Sequence, residues 1–185
     1  MTREEKIEQL IEEKKAEKTD LSSLEIKLSA LGEPKAYARQ RFTFKGKHSY
    51  NPRGKHMLTL KKLFLSQLSE DQKELINLII EKQNKSDKNY YVEVDAKFYI
   101  KTPKADSIEQ TALKEIGLIR PTVSRGDVDN YAKLILDTLH DVIYEDDKHV
   151  IKLSSEKFYS LTPRTELSIK ILYNKGVLEW KRKNA

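Results

Sequence analysis

Alternating apolar and polar residues predict four strands along the chain. The clearest spans residues 91–100, in which every second residue from Val92 to Ile100 is apolar and most residues between them are charged. The same alternation predicts strands at 24–28, at about 149–159 and at 165–173. Residues 35–55 contain Gly46, Pro52 and Gly54 and are expected to form a loop or a loose hairpin.

Apolar residues at three- and four-residue spacing predict five helices. They are residues 3–18, 56–68, 70–83, about 108–116 and about 128–140. Ser69 and Gln72 have the spacing of a capping box at the start of the third helix, and Asp127 is the expected N-cap of the last. In this last helix one face is apolar and is expected to be buried: Val128, Tyr131, Ala132, Ile135 and Leu139.

The number and order of these elements indicate one α+β domain with an appended arm. A chain of 185 residues has room for one ordinary core. We expect a charged helical arm over residues 1–20, a domain over residues 21–178, and a basic disordered tail over residues 179–185.

The composition limits which side chains can act as nucleophiles or metal ligands. Charged residues make up 35% of the chain and cysteine is absent, which excludes thiolate nucleophiles and cysteine-based zinc sites. Carboxylates and four histidines remain as metal ligands, and oxygen-rich sites suit Mg²⁺ or Mn²⁺. Neither a membrane span nor a signal peptide is recognisable, so we expect a cytoplasmic protein without a membrane partner.

Charge is distributed unevenly along the chain. Residues 35–68 carry nine Lys and Arg residues and no acid, interleaved with aromatic residues such as Tyr37 and Phe42. Such a block is expected of a surface that binds a nucleic-acid backbone, although a solvated face is equally compatible with it. His48 and His56 lie within the block and are candidates for phosphate contacts.

Acidic residues cluster around the last predicted helix. Asp127 and Asp129 lie at its start, where the helix dipole favours anions, and Lys133 follows on the polar side. Asp146 and Asp147 come shortly after its end, where an antiparallel return can bring a further carboxylate to the first two. Each has an ordinary alternative: a helix cap, a salt bridge between residues i and i+4, or a solvated turn.

Phosphodiester hydrolysis needs the groups that this cluster provides. A divalent cation polarises the phosphoryl group and generates hydroxide, while a positive side chain stabilises charge that develops in the transition state. The aspartates are candidate ligands for the cation, and Lys133 is the candidate positive group.

Two motifs resemble those of the RusA-type Holliday junction resolvases. They are D-V-D-N-Y-A-K-L-I-L-D-T-L at residues 127–139 and V-I-Y-E-D-D-K-H-V at residues 142–150. Upstream, the G-E-P at residues 32–34 and the S-Y-N-P at residues 49–52 are similar to the strand exit and the tyrosine-proline step of that family. The sequence departs from the family at Gly126, where many members have proline, at His140 and Asp141, and at Tyr37, which replaces a basic residue.

The resemblance implies an α+β fold with a mixed sheet on which helices pack, and a RusA-like nuclease domain over residues 21–178. It also implies a homodimer that nicks four-way branched DNA symmetrically with Mg²⁺, for which Mn²⁺ is expected to substitute. The implied metal ligands are Asp127, Asp129 and Asp147, Lys133 is the implied catalytic lysine, and Asp146 has no assigned role. The residues expected to bind DNA are Lys35, Arg39, Arg41, Lys45, Lys47, Arg53 and Lys55.

Two other functions are compatible with parts of this pattern. The chain could bind branched DNA without cutting it, with the aspartates serving only as caps and ion pairs. The D-x-D at residues 127–129 is also found where nucleotide-sugar transferases bind a divalent cation, but the basic block suits a polyanion better.

Overall fold

In a computed structural model, the described residues form five α-helices and six strands. The structure describes residues 2–18, 21–38, 41–42, 49–84, 90–122 and 126–174. The helices are α1 (Arg3–Lys18), α2 (Gly54–Gln67), α3 (Glu70–Asn84), α4 (Ile108–Glu115) and α5 (Val128–Leu139). The strands are β1 (Leu21–Leu31), β2 (Arg41–Phe42), β3 (Ser49–Tyr50), β4 (Tyr91–Lys101), β5 (Val150–Ser160) and β6 (Arg164–Asn174). The α+β class is confirmed.

Four long strands form a mixed sheet in the order β1-β6-β4-β5. Strand β6 pairs antiparallel with β1 and β4, whereas β4 and β5 are parallel. Because parallel neighbours require a crossover, the chain leaves β4 and passes through α4 and α5 before it returns as β5. The crossover therefore carries both acidic segments of the sequence.

The sheet buries one face and exposes the other. On β4 the residues from Val92 to Ile100 that point to one side are all buried, as the alternation predicts. The core against this face includes Phe64 of α2, Ile79 of α3 and Leu134 of α5. The opposite face carries rows of alternating charge, as where Lys170 lies opposite Glu25 on one side and Glu93 on the other.

Most predicted boundaries are confirmed within three residues. The first strand is longer than predicted. More buried and more exposed positions continue to alternate on both sides of residues 24–28, where several of the residues are serines. Ser69 and Gln72 form the expected reciprocal bonds, with Ser69 N–H donating to Gln72 Oε1 at 3.0 Å and Gln72 N–H donating to Ser69 Oγ at 3.2 Å. Loop 35–55 contains the short antiparallel pair β2 and β3, in agreement with a loose hairpin.

The predicted helix over residues 3–18 is confirmed as α1, and its apolar residues Ile7, Leu10 and Ile11 are about half exposed. Within the described residues no helix combines the length and the apolar character that crossing a membrane requires. The predicted disordered tail lies outside the described residues.

Candidate active site

One side of α5 presents three polar side chains. Asp129, Lys133 and Asp137 follow one another at intervals of four residues, so they lie along a single stripe. Asp129 and Lys133 are exposed and Asp137 is half-buried, while the opposite side of α5 packs in the core. The structure thus confirms that the polar stripe is accessible.

The buried side of α5 differs from the prediction at its first residue. Val128 is 36% exposed, and Leu134 is buried instead. The other apolar residues of the predicted face are buried.

Asp127 occupies the N-cap position, but its side chain makes no capping hydrogen bond. The predicted N-cap position is therefore confirmed, although the carboxylate itself does not cap the helix. Its backbone carbonyl instead accepts from the N–H groups of Asn130 and Tyr131 at 3.1 and 3.3 Å and closes the first turn. The exposed carboxylate is consequently not used by its own helix, and it lies near the positive end of the helix dipole.

Gly126 sets the direction from which the chain enters α5. Its φ of +93° suits glycine and is closed to proline, whose ring fixes a negative φ. A side chain at this position would also meet Ala36, since an added Cβ would lie 3.0 Å from the Ala36 Cβ. Lys157 of β5 donates to the Gly126 carbonyl at 2.8 Å and holds the turn on the sheet.

The segment that leaves β1 lies directly over the start of α5. The Tyr37 N–H donates to the Asn130 carbonyl at 2.7 Å, and the Tyr37 ring lies under the ammonium group of Lys133, with 4.6 Å from Nζ to the ring centroid. Ala36 and Tyr37 also pack against the core. The exit of the first strand therefore forms one wall of the site.

In the turn between α5 and β5, Asp146 and Asp147 have different surroundings. Asp146 is the N-cap of a single 3-10 turn over Asp147–His149, and its Oδ1 accepts from the Lys148 N–H at 3.0 Å. This hydrogen bond and the Lys148 ammonium group, 3.2 Å away, lower the pKa of Asp146. Asp146 is thus engaged in the turn, while the side chain of Asp147 is exposed.

Tyr90, which precedes β4, contacts both ends of this turn. Its buried hydroxyl accepts from the Glu145 N–H at 3.3 Å. Its ring stacks on the His149 ring with 4.0 Å between centroids, and its carbonyl oxygen lies 3.2 Å from His149 Nδ1. The position of Asp147 therefore depends on the end of a neighbouring strand.

Electrostatic interactions connect the acidic turn with the stripe of α5. The pKa of Asp137 is raised, mainly because the side chain is partly buried. The positive charge of Lys133 offsets part of this increase, and the negative charge of Asp147 adds to it. The pKa of Tyr144 is raised by burial and then by the charges of Asp147 and Asp137. Asp147 is accordingly near enough to Asp137 for the charges of the two side chains to interact.

Comparison with known families adds to this geometry. The family described as endodeoxyribonuclease RusA matches residues 32–170, which include the strand exit, the stripe of α5 and the acidic turn. This chain belongs to the RusA family. The chain is also similar to YqaN of Bacillus subtilis (strain 168), described as an uncharacterized protein, with 43% identity over 81 residues. That alignment covers 43% of this chain and 56% of YqaN, so it spans about half the length of the curated relative.

In this RusA-family chain, the candidate cluster contains donors that suit a divalent cation, but the described side chains do not lie close together. Carboxylate oxygens are the ligands that Mg²⁺ and Mn²⁺ prefer, and three exposed aspartates supply them. Among the described residues, however, no three side chains of Asp, Glu, His or Cys lie close enough to hold a metal ion. The assignment of Asp127, Asp129 and Asp147 as ligands therefore stays a prediction, which requires these side chains to move together.

The RusA-family basic block is described in part. Lys35 and Lys55 are exposed, and Arg53 is half-buried at the start of α2. The pKa of His56 is lowered by burial and by the charges of Lys35 and Arg53, which places three basic groups together beside the strand exit. Arg39, Lys45 and Lys47 lie outside the described residues, and for Arg41 the structure describes the backbone.

Several residues of this RusA-family site were not assigned from the sequence. Tyr90 lies just outside the alternating pattern of β4, and nothing in its spacing indicates the acidic turn as its partner. Asp137 follows Lys133 by one turn and therefore lies on the same stripe, but its proximity to Asp147 depends on the crossover. Tyr37 is one of the aromatic residues of the basic block, and the structure places its ring against Lys133.

Proposed function

We propose that this chain is a Mg²⁺-dependent endonuclease that resolves four-way DNA junctions by paired, symmetric nicks as a homodimer. Membership of the RusA endodeoxyribonuclease family supports nuclease activity. The observation that carries the proposal is the common stripe of Asp129 and Lys133 on α5, with Asp127 at its start and Asp147 beside its far half. The family match gives the nucleotide-sugar transferase interpretation no support.

In this proposal, Asp127, Asp129 and Asp147 would hold the divalent cation. When bound, the cation supplies Lewis acidity for the phosphoryl group and lowers the pKa of a coordinated water molecule. Before it binds, the three carboxylates repel one another, which gives a physical reason for the spread of these side chains. A cation that neutralises them would offset this repulsion.

The remaining roles fall to basic groups. Lys133 places its ammonium group on the stripe between Asp129 and Asp137, where it would stabilise charge on the scissile phosphate or the leaving oxygen. Lys35, Arg53 and Lys55 would bind the DNA backbone beside the site. Phosphate contacts of this kind position a duplex without reading its sequence, as recognition of a branch by shape requires.

The test is cleavage of a synthetic four-way junction with Mg²⁺, Mn²⁺ or Ca²⁺, with linear duplex and flap DNA for comparison. We expect wild-type protein to cut the junction with Mg²⁺ or Mn²⁺. Asp129→Asn should lower the cleavage rate by about a hundredfold or more, because it removes a ligand that acts on the reacting phosphate. Junction affinity in Ca²⁺ should change little.

Asp71→Asn is the matched control, since Asp71 is an exposed aspartate in the first turn of α3 and lies outside the site. This variant should cleave like wild type. If wild-type protein binds the junction but does not cut it with either metal, the proposal fails and the chain is a branched-DNA-binding protein. Loss of binding in Asp129→Asn equal to its loss of cleavage would contradict the role given to this residue.

A further inference from the structure

The ammonium group of Lys133 rests on an aromatic ring. Lysine has a long side chain with four rotatable bonds, and an exposed lysine normally samples many rotamers. Here Lys133 Nζ lies 4.6 Å from the centroid of the Tyr37 ring, within the range in which a cation is attracted to the face of an aromatic ring. The contact restricts the lysine to rotamers that keep its charge beside the Tyr37 ring.

Tyr37 is itself fixed to the helix that carries the lysine. Its N–H donates to the carbonyl of Asn130 at 2.7 Å, and Asn130 is three residues before Lys133 on α5. The ring is half-buried and packs partly against the core, so it has little freedom of its own. The ring and the lysine are therefore held in one frame, although they come from distant parts of the sequence.

We propose that Tyr37 is a positioning residue that holds the Lys133 ammonium group in place for the scissile phosphate. The inference rests on the proposed function, since it assigns a partner to the lysine of that site. Stacking of a DNA base on the ring face that Lys133 covers would require the ammonium group to leave. Tyr37 consequently acts through Lys133 in cleavage and does not serve as a base-stacking platform on that face.

The experiment compares Tyr37→Phe with Tyr37→Leu. Phenylalanine keeps the ring and leucine keeps apolar volume without it. Tyr159→Leu is the matched control, because Lys114 Nζ lies 4.6 Å from the Tyr159 ring in a pair away from the site. Three quantities are measured for each protein: the single-turnover cleavage rate constant on the four-way junction, the Kd for that junction in Ca²⁺, and the ¹H shift of the Lys133 ε-methylene group by NMR without metal.

We expect Tyr37→Leu to lower the cleavage rate constant about two- to fivefold, the factor that corresponds to one exposed cation–π contact, and to leave Kd unchanged. Its Lys133 ε-methylene signal should lose the upfield shift that the ring causes. Tyr37→Phe should retain the rate and the shift, and Tyr159→Leu should behave like wild type in both.

Cleavage by Tyr37→Leu at the wild-type rate would overturn the inference, as would a fall in affinity that accounts for the whole fall in rate. A Lys133 signal that is the same in wild type and Tyr37→Leu would overturn the contact itself, whatever the activity. Failure of wild-type protein to cut any DNA would instead overturn the proposed function, so the two failures are distinguishable.

Discussion

At the scale of single residues, the entry to α5 depends on a glycine in two separate ways. Gly126 has a φ of +93°, and a Cβ there would lie 3.0 Å from the Ala36 Cβ, tighter than most Cβ contacts in proteins, so Ala36 would have to shift. Gly32 has a φ of +107°, but a Cβ there would meet nothing within 4 Å. A substitution at Gly32 therefore tests the free-energy cost of the backbone conformation alone, and a substitution at Gly126 adds the cost of steric crowding.

We predict that Gly126→Ala lowers the free energy of unfolding by about 2–4 kcal/mol, through a strained φ and a displaced strand exit. Gly32→Ala carries only the conformational cost, about 1–2 kcal/mol. Urea unfolding of the two variants measures both values. Equal losses would show that Ala36 moves aside without cost, and that the close approach of the strand exit to α5 is not tight.

The sequence predicted the exposure of the candidate site residues better than their contacts. Helix phase alone put Asp129 and Lys133 on an exposed stripe, because both belong to one helix with a fixed repeat. The cap at Asp127 was predicted from residue type, but backbone groups close that turn and leave the carboxylate aside. Contacts such as Tyr37 with Lys133 join residues far apart in sequence, and no local pattern encodes them.

At the scale of elements, Tyr90 connects the start of β4 with the acidic turn before β5. One buried residue accepts a hydrogen bond at one end of the turn and stacks on the ring of His149 at the other. Because β4 and β5 are parallel neighbours, both contacts form where the two strands begin. Periodicity predicted the strands themselves, but it carries no information on which strands are neighbours.

We predict that Tyr90→Phe lowers the free energy of unfolding by about 0.5–1.5 kcal/mol, since it removes the acceptor for the Glu145 N–H and keeps the ring stack. Amide hydrogen exchange should become faster at Glu145, and the amides in the middle of β4 should be unaffected. Unchanged exchange at Glu145 would mean that the hydroxyl does not hold the turn. The control is Tyr91→Phe, because Tyr91 is the next residue in the chain and points to the opposite face of the sheet.

At the scale of the whole molecule, the charged arm stands apart from the core. The described side chains of α1, through Glu12, are all exposed, and none belongs to the core. The arm also precedes the part of the chain that matches the RusA family. Both observations agree with the division into an arm over residues 1–20 and a domain over residues 21–178, which stays a prediction.

We predict that deletion of residues 2–18 changes the free energy of unfolding by less than about 0.5 kcal/mol, as is usual for changes away from buried contacts. Thermal or urea unfolding of the shortened and full chains checks this value. A loss above about 1 kcal/mol would show that Ile7, Leu10 and Ile11 pack on the body of the protein or on a second copy. If the loss depends on protein concentration, these residues pack on a second copy, and if it does not, they pack on the body of the same chain.

The strand order has a consequence for the chain during its synthesis. Among the described strands, β6 is the last to be made, yet it lies between β1 and β4, and β1 pairs with no other strand of the sheet. A growing chain that lacks β6 can pair β4 with β5, but β1 has no partner in the sheet, and its exit forms the wall over the start of α5. Incomplete chains should therefore lack the wall that carries Tyr37, so under the proposed function an aborted product of translation would leave Lys133 without its aromatic partner.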